Sequence, residues 1–417
     1  MSRQDFAADA AQCRDAVIEL TRQLVAISSP NPPGETAAVA EAAAAMIEAI
    51  APDAEVALHE TAPGIVNLVA RVKGRAPGNG RRVVFNGHLD TYPVNEALPW
   101  TVEPLGGALV EGRLYGRGAA DMKGGIAASM VAFSLLAAHA HAWAGEAVLA
   151  LAGDEESMGP LGTKWLMDNV PHVTGDATII GDAGSPRVLR FGEKGFLWIE
   201  IEAAGKASHG AHVHLGENAI DRLRAALDVV AALRSLQPAA PEGVLAAIEA
   251  SRPISEPLSG EGEAEVLRSV TVNIGRIEGG TSTNLVPASA KASADIRLPV
   301  GMPASSVEAA LEQGLGGLPG VTWRVLRRFE SNHTDPAHPV VQVVARAASE
   351  VLGGPCAVNM RVGGSDARWF RMAGLPTVVY GPTPHNMGGA DEYVLVEELE
   401  QVARVHALAA FDLLQPA

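Results

Sequence analysis

The sequence predicts an α/β protein built on a mixed sheet, with a smaller two-layer α+β unit inserted into the chain. Three observations carry this. Short, fully apolar strand signals alternate with helices over residues 1–194, the mark of a sheet buried on both faces. Near residue 195 the strands change to apolar–polar alternation, the mark of a sheet with one wet face. After about residue 329 the first pattern returns. The predicted domains are therefore 1–194 with 329–417, and 195–328 between them.

The elements follow in order. A helix is predicted over 11–27, where Val17, Leu20, Leu24 and Val25 fall near helical spacing, and it stops at the breaker run 28–35 (SPNPPGE with its leading Ser). An Ala-rich helix covers 36–50. Strands are predicted at 65–72, 83–85, 147–152 and 177–180, with helices at 123–141 and 162–169. In the insert, strands at 195–204, 269–278, 288–298 and 321–325 and helices at 217–236 and 305–313 give the order βα–ββ–αβ. The Pro/Gly/Glu-rich stretch 237–262 is expected to be a surface loop. A helix at 338–352, a strand at 377–380 and a helix at 396–414 complete the chain.

Composition limits the partners. Acids outnumber bases 48 to 32 among 417 residues, for a formal charge of −16. Such a surface repels phosphate backbones, so neither nucleic acid nor an anionic membrane surface is an expected partner. The most apolar helix candidate, 125–144, holds His139 and His141 and falls short of an uninterrupted span of about 20 residues. The first residues carry Asp5, Asp9 and Asp15 and no apolar secretory core. The two cysteines, Cys13 and Cys356, make no disulfide framework. A cytoplasmic location is expected.

Four apolar strands are each followed closely by a residue able to bind a metal. They lead to His88 and Asp90, to Glu155 and Glu156, to Asp182, and to His385. Ligands of open α/β sheets bind at the carboxyl ends of the strands, so these residues are expected to converge. Asp121, in GRGAADMKGG, stands just before the 123–141 helix; its alternative is a helix cap. Two histidines and three carboxylates suit a borderline divalent ion such as Zn²⁺, with Co²⁺ or Mn²⁺ as alternatives. Five ligands are too many for one tetrahedral ion but suit a pair of ions sharing a carboxylate. Asp90 is placed to accept the second ring N–H of a ligating His88. One of the paired glutamates is then left over as a general base.

Several blocks in this order resemble the aminoacylase/carboxypeptidase family of co-catalytic metallohydrolases. They are SPNPPGE, GHLDTYPV (87–94), GRGAADMKGG (116–125), GDEES (153–157), GKASHG (205–210), GGTSTNLVP (279–287), GGSDARW (363–369) and DEYV (391–394). The resemblance implies two divalent metal ions, with His88 and Asp182 on one, Glu156 and His385 on the other, and Asp121 bridging. It makes Glu155 the general base and the insert a lid and homodimerisation domain. His209 would stabilise the oxyanion in the partner subunit's site. Asn284 and Arg297 would bind the carboxylate of a small-molecule substrate, with Gly364, Ser365 and Arg368 lining the same pocket. Two departures stand out: five residues separate His385 from Asp391, where the family pattern has two or three, and the third strand-end ligand is Asp rather than Glu.

The expected reaction is cleavage of the amide bond of a small N-acyl amino acid. Dipeptidase or carboxypeptidase activity is the alternative, then hydrolytic deamination of an unusual small molecule. From another class comes a non-catalytic metal- or peptide-binding homologue, which would have no need of Glu155.

Overall fold

The computed structural model describes residues 1–95 and 97–415. The chain forms two compact units, one of residues 1–191, 334–359 and 365–417, the other of 192–333 and 360–364. The short return of 360–364 to the second unit is invisible to a reading that sees only two changes of pattern.

In the first unit the strands lie in the order Glu55–Ala62, Ile65–Lys73, Glu146–Ala152, Arg82–His88, Ala177–Ile180, Thr377–Val379, Val188–Glu193. The four from Glu146–Ala152 to Thr377–Val379 are mutually parallel, and their outer neighbours run antiparallel. This is the mixed sheet expected. The central strands are buried along nearly their whole length, because helices cover the sheet. Helix Gly124–Ala138 packs against Val396–Leu413 and against the sheet. Its extension Ala119–Ala138 is apolar enough to qualify as a membrane span by length and composition, yet 83% of that window is buried inside the protein. Residues 11–27 hold a shorter helix, Arg14–Val25, preceded by a separate one at Arg3–Ala10. The latter starts on a capping box in which Ser2 Oγ accepts the Asp5 N–H at 3.1 Å.

The second unit has a four-stranded antiparallel sheet ordered Thr271–Gly279, Ser289–Leu298, Gly195–Ala204, Val321–Phe329. Strand Ser289–Leu298 alternates strictly, with Ala290, Ala292, Ala294, Ile296 and Leu298 facing the core. Helices Ala219–Ala232 and Ala304–Leu315 cover that face through Leu223, Ala226, Val230, Val307 and Leu311. The expected surface loop at 237–262 is instead largely the helix Glu242–Ser259. Val244, Ile248, Ser251 and Ser255 make its buried stripe. Its two interior prolines, Pro253 and Pro257, are four residues apart on the exposed side. There water can satisfy the carbonyls that lose their N–H partners.

Candidate metal centre

Because the four central strands are parallel, their carboxyl ends share one edge of the sheet. His88 ends its strand opposite Ala152, and Val379 lies opposite Ile180. The turns after these strand ends carry Glu155–Glu156, Asp182 and His385. Helix Gly124–Ala138 meets the same edge at very close range. A Cβ on Gly125 would stand 1.7 Å from the Gly181 carbonyl oxygen, and one on Gly181 would stand 2.6 Å from that of Gly125. Only this pair of glycines lets the helix start touch the turn that carries Asp182.

Asp121 does not cap that helix. It sits in extended backbone (φ −130°, ψ 93°), three residues before the helix begins at Gly124. Its segment is held by Glu392, which accepts the N–H groups of Ala120 and Asp121 at 3.0 and 3.3 Å and pairs with the buried Arg117. Arg117 also donates to the carbonyls of Gly388 and Gly389, at 3.0 and 3.1 Å. Arg117 and Glu392 stand in the GRGAADMKGG and DEYV blocks, where nothing local in the sequence marks them as partners 275 residues apart.

One donor atom from each of His88, Asp121 and Asp182 lies within 4.8 Å of the others. The His88 Nδ1–H donates to the Asp90 backbone carbonyl at 2.9 Å. Its Nε2 therefore faces Asp121 Oδ1, 3.2 Å away. A lone pair aimed at a carboxylate oxygen needs a cation between them, either a proton or a metal. The ring's proton affinity reports the same field. Burial opposes charge on His88, but the hydrogen bond and charge of Asp121, with Glu155 and Asp90 nearby, push it well above the ordinary histidine range.

The expected role of Asp90 is corrected by this geometry. Its carboxylate stands 3.6 Å from His88 Nδ1, beyond hydrogen-bond range. It instead accepts the N–H groups of Glu155 and Glu156, at 2.9 and 3.0 Å, and Asn31 Nδ2 at 2.8 Å. It organises the glutamate turn, while its carbonyl orients the histidine.

Burial holds Glu155 above the usual carboxylate range, against the opposing charges of His88 and Arg368. Glu156 is raised too, by burial and then by Asp121. Among the described residues, Glu156 Oε1 and His385 Nε2 are buried atoms with no hydrogen-bond partner. Such atoms are costly unless a ligand satisfies them. Among the described residues, the donors that close on one another are those of His88, Asp121 and Asp182 alone, a nitrogen and two carboxylates suited to a divalent cation; Glu156 and His385 stand outside that cluster. The five residues between His385 and Asp391 do not carry the histidine away from its motif. Tyr393 N–H donates to the His385 carbonyl at 3.1 Å, and the two rings stack at 4.4 Å. The extra residues loop out, with Asn386 and Asp391 at positive φ.

Arg368 does not stand as a free cation in a pocket. It is buried, donates to Glu155 Oε1 at 3.2 Å and to the Ser365 carbonyl at 2.8 Å, and lies 3.7 Å from Asp366. Ser365 is buried at the start of helix Ala367–Met372, whereas Gly364 belongs to the second unit.

In the second unit, His209 pairs with Leu285 in a two-stranded ladder, and Gly210 N–H donates to the Asn284 carbonyl at 2.7 Å. Arg297 is elsewhere on the same unit. Strand Gly195–Ala204 pairs Phe196 with Arg297 at one end and Ala204 with Ser289 at the other, eight residues or about 26 Å apart at ~3.3 Å per residue. His209 follows the Ala204 end. Arg297 is held by Asp295 at 2.9 Å and lies over the Phe196 ring.

Residues 84–412 match the pattern of peptidase family M20/M25/M40. The chain belongs to this family. Its chemistry is thus that of a hydrolase acting on amide bonds. Among curated relatives of this M20-family chain, a succinyl-diaminopimelate desuccinylase of Rhodospirillum centenum is 30% identical over 346 residues, covering 82% of each chain. Among solved structures, aminopeptidase PepT of Bacillus cereus superposes with a TM-score of 0.73 at 20% identity, covering 96% of this chain and 98% of that one. The YXEP protein of Bacillus subtilis, described as a dinuclear metal-binding peptidase of the same family, gives 0.63 at 16% identity, covering 96% and 98%. These structures establish the shared fold.

Proposed function

We propose that this M20-family hydrolase removes the acyl group from a small N-acyl amino acid bearing a free carboxylate, using two divalent ions. The observation that carries this reading is the approach of His88, Asp121 and Asp182 donor atoms to within 4.8 Å, with Glu155 and the unsatisfied Glu156 and His385 atoms on the same sheet edge. His88, Asp121, Asp182, Glu156 and His385 hold the ions, with zinc the first choice and cobalt or manganese the alternatives. Bound there, the ions supply Lewis-acid polarisation of the acyl carbonyl and acidify water. Glu155 takes the water's proton and returns it to the leaving amine; its burial suits a base that must also act as an acid. Asp90 keeps Glu155 in place through its backbone.

The second unit serves as lid and homodimerisation domain. His209 and Asn284 lie at one end of its sheet and Arg297 at the other. That separation supports a site in which one copy supplies Arg297 and the partner supplies His209 and Asn284. The free cysteines Cys13 and Cys356 support a cytoplasmic location.

The relatives' activity makes N-succinyl-diaminopimelate the first substrate to test. The full-length protein, stripped with a chelator and reloaded with Zn²⁺, Co²⁺ or Mn²⁺, is assayed for amine release from N-succinyl, N-acetyl and N-carbamoyl amino acids and from dipeptides. Metal-dependent release from an N-acyl amino acid supports the proposal. Release from dipeptides alone moves the substrate to peptides, and no release from any member with any ion overturns the proposal. Light scattering showing a fully active monomer would remove the role of the partner subunit.

A further inference from the structure

We propose that Ser282 and the backbone N–H of Ala211 turn the Asn284 and His209 side chains into fixed hydrogen-bond donors. This end of the second unit is then set to recognise an anionic oxygen of the substrate. The inference rests on the reading of His209 and Asn284 as substrate-facing residues.

Both side chains are ambiguous by nature. An asparagine amide offers an oxygen acceptor on one side and an NH₂ donor on the other, and a neutral histidine carries its proton on either nitrogen. Here each ambiguity is removed from within the unit. Ser282 Oγ lies 2.5 Å from Asn284 Oδ1. That separation suits O–H···O and is too short for N–H···O, so the amide oxygen is the atom engaged and the NH₂ is left to point elsewhere. The Ala211 backbone N–H lies 3.1 Å from His209 Nδ1. A backbone N–H only donates, so Nδ1 is the acceptor and carries no proton. The ring's proton is then on Nε2.

The surrounding chain holds these arrangements together. His209 is paired with Leu285, and the Gly210 N–H is bonded to the Asn284 carbonyl. A Cβ on Gly210 would approach the Asn284 backbone to 3.0 Å, so glycine is what lets the two segments close. Ser282, two residues before Asn284, and Ala211, two residues after His209, each act on the neighbouring functional side chain by a local bond. With both acceptors engaged, the atoms offered outward are Nε2–H and Nδ2–H₂. They match a carboxylate or a developing oxyanion, and they bar His209 from acting as a base or metal ligand through Nε2.

The test uses the full-length, metal-loaded protein. Long-range ¹H–¹⁵N spectra of the histidine-labelled protein, with His209 assigned by loss of its signals in His209→Gln, are expected to show Nδ1 unprotonated and Nε2 protonated. Ala211→Pro deletes the donor and is expected to populate the other tautomer. For the asparagine, Ser282→Ala is expected to lower kcat/KM on the hydrolysed N-acyl amino acid by about 10-fold, a part of what loss of a donor to an oxyanion costs. Ser282→Thr, which keeps the hydroxyl, is expected to restore it to within about twofold, with the urea midpoint of all variants unchanged. A proton on His209 Nδ1, or wild-type kinetics in Ser282→Ala, overturns the proposal. If His209→Gln instead hydrolyses at the wild-type rate while the spectra show the Nε2–H tautomer, the fault lies with the catalytic role given to the lid and not with the tautomer.

Discussion

The carboxylate of Asp90 accepts the backbone N–H of Glu155 at 2.9 Å. One side chain thereby ties the end of strand Arg82–His88 to the turn after its neighbour Glu146–Ala152. The same residue's carbonyl orients His88 at 2.9 Å. A ligand and the general base thus share one anchor. Asn31 reinforces it, bonding both Asp90, at 2.8 Å, and Asp154, at 3.2 Å.

Replacing Asp90 with Asn keeps the shape but turns one oxygen into a donor facing two N–H groups. The Glu155–Glu156 turn is expected to shift, because one of its donors loses its acceptor. Turnover should fall about 10–100-fold, as when groups supporting metal ligands are removed. Steady-state kinetics beside metal analysis would show it, and an unchanged kcat would sink the anchoring role.

Glu155→Gln removes the acid–base group and leaves the proposed ligands in place. Metal content should persist while kcat drops by about 10²–10⁴. Retention of both metal and full turnover would disqualify Glu155 as the base and return attention to Glu156.

The strand-end residues were legible in sequence for a topological reason. Parallel strands deliver their carboxyl ends to one edge, so an apolar run followed by His or Asp is informative before any geometry is known. The partner of Arg368 was not legible. Glu155 lies 213 residues away, and nothing local distinguishes an arginine that meets substrate from one that meets a protein carboxylate. Nearness in sequence to His88 favours a side-chain contact from Asp90, but the backbone carbonyl makes that contact instead. Helix Glu242–Ser259 was hidden by its prolines, whose cost depends on which face they occupy.

Arg368→Met would leave Glu155 and Asp366 buried without their shared cation. Breaking a buried pair by removing one partner costs about 3–5 kcal/mol. Urea unfolding of the metal-free protein should show a loss of that order, with kcat also reduced because Glu155 is no longer held. A variant with wild-type stability and only a raised KM would restore the substrate-contact role expected from sequence.

His406 gives a pH dependence separable from the metal centre. It is fully buried, its Nε2–H donating to the Tyr380 carbonyl at 2.8 Å and its Nδ1 facing Ser129 Oγ at 3.2 Å. Burial, only partly offset by the Tyr380 carbonyl, pushes its pKa down to about 4 from the ordinary histidine value of 6.5. The unfolded chain therefore binds more protons than the folded one between those values. Stability is fully present above pH 6.5 and is lost as pH falls toward 4, by up to about 3 kcal/mol at 1.36 kcal/mol per pKa unit. His406→Gln has no proton to gain, so its urea-unfolding free energy should fall less steeply than wild type between pH 7 and 4.5. Parallel curves for the two proteins would mean that the imidazole is not the group responsible.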